Sequence, residues 1–215
     1  MKLKDIAQYL VFVAQYSVVL PVATAIYFRA YQRKELKILL FGLIATLVLD
    51  IVFGLFLLSI KYSTLYFFTA IDAITMTSMF AAALPKGRRS QIIQAVGFIM
   101  LPLIAFDAFY WSGVNENGVS STLVTLLIAS ISIYYLSRLF KDTSIPSLSA
   151  EPLFWVCLGL IVNNAVGFFD VFSKPILTYS QNMYLQFYMV WSIATIFMYC
   201  CFAYAFWLAK RPSEG

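Results

Sequence analysis

Residues 38–60 read ILLFGLIATLVLDIVFGLFLLSI, a run of 23 residues in which Asp50 is the single charged side chain. At about 1.5 Å per residue, an α-helix of this length reaches roughly 35 Å, enough to cross the ~30 Å hydrocarbon layer of a bilayer. Comparable apolar runs cover 6–28, 65–85, 92–111, 120–140, 152–173 and 183–209, which makes seven. The predicted fold class is therefore all-α: a polytopic membrane protein of seven transmembrane helices, forming a single domain over residues 1–215. Composition agrees, because 62% of the chain is hydrophobic and 12% charged, against about 45–50% and about 25% in a soluble domain. Folded in water, that excess would lie exposed as large apolar patches.

The connectors carry the charges and the helix breakers: RAYQRKELK at 29–37, KGRRSQ at 86–91, SGVNENGVS at 112–120, KDTSIPSLSAE at 141–151 and KPILTYSQN at 174–182. All are short, so successive helices run antiparallel. One side of the bilayer receives eleven of the fifteen basic residues, from Arg29, Arg33, Lys34 and Lys37 through Lys86, Arg88, Arg89, Arg138 and Lys141 to Lys210 and Arg211. Cytoplasmic loops accumulate Lys and Arg, which predicts an outside amino terminus and a cytoplasmic carboxyl terminus in a bacterial inner membrane. Because these cations are scattered between apolar blocks, a nucleic-acid partner is not expected; the lipid bilayer is. Met1-Lys-Leu-Lys leads straight into the first run, which is too long for a removable signal peptide. Tyr110, Trp111 and Trp207 lie at helix ends, where interfacial aromatic belts form.

An offset of 113 carries the first helix onto the fifth and the second onto the sixth. Phe41 falls on Phe154, Leu47 on Leu160, Gly54 on Gly167 and Lys61 on Lys174, while Asp50 falls on Asn163. This predicts a 3+1+3 repeat whose halves are parallel. Thr46, Asp50 and Gly54 share one face of their helix, as Gly159, Asn163 and Gly167 share one of theirs.

Asp50 lies roughly 18 Å from the cytoplasmic start of its helix and Asp72 roughly 11 Å from the outer start of the third, so both sit near mid-depth. Asp107 and Asp170 lie closer to the interface. No Lys or Arg falls in the middle of any run. An isolated charge there is costly, and the remedies are protonation, a bound cation or a wet cavity. The expected ligand-binding site groups Asp50, Asp72, Asn163, Asn164, Gln186, Trp191 and Tyr16 around a small molecule or a cation. In the competing reading a protonated Asp is simply hydrogen-bonded across a helix interface. Trp191 is too deep for a belt residue and serves either as an aromatic wall or as packing. Pro21 and Pro102 favour kinks.

The chain has no histidine, and Cys157, Cys200 and Cys201 are spaced for packing rather than for disulfides. No metal or other cofactor is expected, and no familiar catalytic motif is present. The function expected is a small-molecule or cation/proton-coupled transporter, or a sensor. Alternatives are an accessory subunit with a membrane-protein partner, or a lipid-modifying enzyme using the two aspartates as acid and base.

Seven helices with short loops resemble the microbial rhodopsins, which bind retinal on a lysine in the middle of the seventh helix. Here that helix reads MYLQFYMVWSIATIFMYCCFAYAFWLAK, with its lysine at the end, so retinal attachment is excluded. The topology and the offset are similar to the SWEET and PQ-loop transporters, whose repeats place matching prolines; Pro21 is present but Tyr134 stands at its partner position. The stretch EPLFWVCLGLIVNNAVG at 151–167 resembles small seven-helix membrane proteins of Bacteroidetes-type bacteria, a resemblance that implies no activity.

Overall fold

A computed structural model describes the backbone at residues 3–56, 63–111, 118–142, 147–177 and 181–210, and side chains at 3–53, 65–111, 118–142, 147–168 and 182–210. Asp170 and Gly54 therefore fall outside the described side chains. The described chain is helical: α1 (Leu3–Tyr16), α2 (Val19–Tyr27), α3 (Lys34–Phe56), α4 (Ser63–Ala83), α5 (Arg88–Phe106), α6 (Val119–Lys141), α7 (Pro152–Leu177) and α8 (Gln181–Ala209). Six spans are long and apolar enough to cross a membrane, α1 and α2 counting as one, and Pro152–Phe168 of α7 is a shorter apolar helix.

The first predicted span is interrupted, not continuous. Pro21 has no N–H with which to bond the Ser17 carbonyl, and its ring crowds that carbonyl. The Ser17 carbonyl instead accepts from Leu20 at 3.0 Å, a tighter turn, and the Ser17 hydroxyl donates back to the Ala14 carbonyl. By contrast α5 passes Pro102 as one helix and opens only afterwards, into a π-turn at Asp107–Trp111.

The chain groups into two compact units. The division falls between Ile131 and Ser132, inside α6, and does not follow the halves related by the offset of 113. Arg29–Ile131 forms one unit, whose three packed helices are α3, α4 and α5 with α4 in the middle; the first part of α6, up to Ile131, also belongs to it. A Cβ added at Gly42 of α3 would overlap the Thr75 side chain, and one added at Gly97 of α5 would overlap Thr77. Thr75 and Thr77 are about 200° apart around α4, so the two neighbours lie on opposite sides of it. The two glycines bring the backbones close enough for van der Waals packing, the main cohesive force between helices in lipid.

The other unit holds 1–28 and 132–215 and is built on α8, which packs along α7 and against α1 and α2. Gly159 of α7 is the close-approach point there: an added Cβ would lie 3.1 Å from Cys201 and from the Met198 backbone. Cys157 and Cys201 are buried, as packing residues should be, but Cys200 is exposed. All three are free thiols.

Candidate functional site

Asp50 and Asp72 both belong to the three-helix unit. The Gly42 and Thr75 contact sets the register of the antiparallel α3 and α4, placing Asp72 level with Ala45 and Asp50 about 7–8 Å further towards the Ser63 end. Turning each helix by about 100° per residue from that contact puts both carboxylates on the same side of the helix pair.

On α3 that side is the buried one. Leu36, Leu39 and Leu43 are buried and point within about 40° of Asp50. Phe41, Val48, Ile51 and Val52 are exposed and point at least ~100° away from it. Asp50 thus leaves the helix away from the apolar surface that acyl chains would cover. It is half-buried and takes part in a polar or electrostatic contact.

Asp72 occupies a transition on α4. Along its face, Leu65 and Asp72 are exposed, while Met76 and Met79, one and two turns further in, are 6% and 0% exposed. Between Leu65 and Asp72 the same face carries half-buried Phe68 and buried Thr69, so Asp72 is an exposed carboxylate set just short of a buried methionine stretch. Among the described residues Asp72 has no hydrogen-bond or ion-pair partner.

The remaining expected residues lie in the unit built on α8. Asn163 meets α8 at Thr195, whose single hydroxyl proton is shared between Asn163 Oδ1 at 3.1 Å and the main-chain carbonyl of Trp191, one turn back in α8, at 3.0 Å. Thr195 carries no signal in a linear reading, because its partner on α7 is 32 residues away. Trp191 meets Tyr188 edge-on at 6.4 Å, and the Tyr184 hydroxyl donates to that of Tyr188 at 3.0 Å. Asn164 is half-buried and Gln186 exposed. Tyr16 is exposed on α1, tilted against Phe12 at 4.6 Å.

Asp107 plays a different part. It is 2% exposed, and one carboxylate oxygen accepts the Ser120 backbone N–H at 2.8 Å. The first N–H groups of a helix have no partner within it and lie at the positive end of its dipole, so a carboxylate there satisfies both needs. Asp107 closes the π-turn onto the start of α6.

Compared with protein-family models, with curated proteins and with solved structures, the chain matches none.

Proposed function

We propose that the protein is a seven-helix carrier of a bacterial inner membrane, amino terminus outside, which couples movement of a small molecule to a cation or proton at Asp72, with Asp50 as the neighbouring acceptor. One observation carries the reading: a carboxylate halfway along a membrane-length apolar helix is exposed, is set just short of a buried methionine stretch, and has no partner among the described residues. A carboxylate held there is costly unless water, a proton or a cation reaches it. Asp50 lies on the same side, about 7–8 Å further along the helix axis, and suits a second stage of a relay. Asn163, Asn164, Gln186, Trp191 and Tyr16 are the polar and aromatic groups assigned to the small molecule, with Trp191 as an aromatic wall.

An accessory-subunit role would call for small residues kept for another chain. Gly42, Gly97 and Gly159 are instead filled from within, by Thr75, Thr77 and the Met198–Cys201 turn.

The test is reconstitution in vesicles holding a pH-sensitive dye, followed by imposed sodium or proton gradients. Asp72→Asn should lower gradient-driven flux at least tenfold while expression and thermal stability stay unchanged. Asp72 should also react with dicyclohexylcarbodiimide, a reagent for carboxyl groups in apolar surroundings, and be protected by the coupling cation. Unaltered flux in both Asp50→Asn and Asp72→Asn removes the coupling proposal. Binding protection without any flux makes the protein a sensor.

A further inference from the structure

We infer that the Lys34 end of the three-helix unit binds an anionic phospholipid, with its headgroup at Lys34 and Lys37 and an acyl chain along the outer stripe of α3. The register through Gly42–Thr75 and Gly97–Thr77 puts the starts of α3 and α5 at the same end, beside the end of α4. Two connectors therefore converge, 29–37 and 85–89. They bring Arg29, Lys34, Lys37, Lys86 and Arg88, all exposed, together with Arg33 and Arg89, against a single acid, Glu35.

That arrangement repels itself. Helix starts carry the positive end of the dipole and ordinarily attract acids, yet here Lys34 opens α3 and Arg88 opens α5. Gly87, before α5, offers no side-chain cap. Lys34, Lys37, Lys86 and Arg88, exposed beside two positive dipole ends, call for an anion, and Glu35 is the single acid within these two connectors; Arg33 and Arg89 already take part in contacts of their own. Orientation in the bilayer requires only that basic residues lie in the connectors, and it leaves their depth and face open.

Lys37 marks the occupant. It lies one turn inside α3, and its Nζ stands 6.0 Å from the centre of the Phe41 ring. Phe41, Val48 and Val52 continue the same exposed stripe, within about 60° of Lys37 around the helix. The order along the stripe is cation, aromatic ring, aliphatic surface, the order of groups along a phospholipid running from phosphate to tail. Long basic side chains reach the headgroup layer while their stems lie on apolar surface. Each Lys or Arg near an anionic leaflet strengthens binding about fivefold.

The proposal is tested on the full-length protein in mild detergent, titrated with phosphatidylglycerol or phosphatidylcholine and followed by native mass spectrometry. Phosphatidylglycerol should be retained preferentially, and Lys34→Gln with Lys37→Gln should weaken it roughly 25-fold. Phe41→Ala should weaken both lipids alike. Both sets of changes fall on exposed side chains, and melting temperatures verify the fold. Equal retention of the two lipids by the unaltered protein would overturn the inference. So would an equal loss in Arg138→Gln with Lys141→Gln, which would make the effect one of net charge. Displacement of the lipid by millimolar inorganic phosphate, or saturation by an acidic soluble protein with no lipid preference, would overturn it in favour of those partners.

Discussion

At the scale of single residues, the helix contacts turn on side chains whose size is fixed by a neighbour. Gly42 and Gly97 have no room for a methyl group, because Thr75 and Thr77 fill the space in front of them. Gly42→Ala or Gly97→Ala should each lower stability by about 1–3 kcal/mol, the usual effect of overpacking, as measured by thermal unfolding in detergent. Gly87→Ala is the control: its added Cβ meets only a backbone oxygen at 3.9 Å, and its φ of 173° is ordinary extended backbone. Thr195 gives a second test. Thr195→Val keeps the shape but removes the donor to Asn163, and should cost about 0.6–2 kcal/mol. Thr195→Ser should keep most of it. Should Val prove as stable as Thr, the bond between α7 and α8 contributes nothing. Arg29 is the one non-glycine among the described residues with positive φ, at 51°, directly after α2. That position follows a helix end, where a left-handed residue closes the last turn.

At the scale of elements, the start of α6 depends on a residue thirteen positions earlier. Asp107→Asn keeps an acceptor for Ser120 but loses the charge, and should destabilise by about 1 kcal/mol. Asp107→Leu leaves the N–H unpaired in a buried place and should cost more, about 2–3 kcal/mol. Amide exchange at Ser120 should quicken in the same order, and unchanged exchange would show that α6 is capped by other means. The π-turn that Asp107 opens presents Phe109, Tyr110 and Trp111, exposed by 76%, 81% and 69%. Exposed rings at a helix end are what an interfacial aromatic belt would present. The same reasoning was less complete for the prolines. Both were expected to bend their helices, but Pro21 breaks its span into α1 and α2, while α5 continues past Pro102. In the first case Ser17 has an alternative partner for its carbonyl in Leu20 and its own hydroxyl to place.

At the scale of the whole molecule, the charge asymmetry makes a prediction about orientation. A membrane-impermeant maleimide added to intact cells should label Asn115→Cys, in the connector after α5, and leave Lys86→Cys unlabelled until the membrane is opened. The native cysteines are first replaced by alanine, with Cys200 tolerating this best because it is exposed. Labelling in the reverse pattern would invert the topology and place Asp72 closer to the cytoplasm.

Helical class and bilayer-length spans were legible in the linear sequence because both follow from the length of apolar runs, and a run's length needs no partner to be read. The depth expected for Asp50 and Asp72 is likewise only a count along a helix. Direction around the helix is another matter. That Asp50 leaves α3 on its buried side, that Asp72 stands just short of a buried methionine stretch, and that Asn163 answers to Thr195 all depend on which faces meet. Those faces are chosen by close packing at Gly42, Gly97 and Gly159, and such fits exist between helices, between residues distant in the chain. Tertiary structure alone decided them.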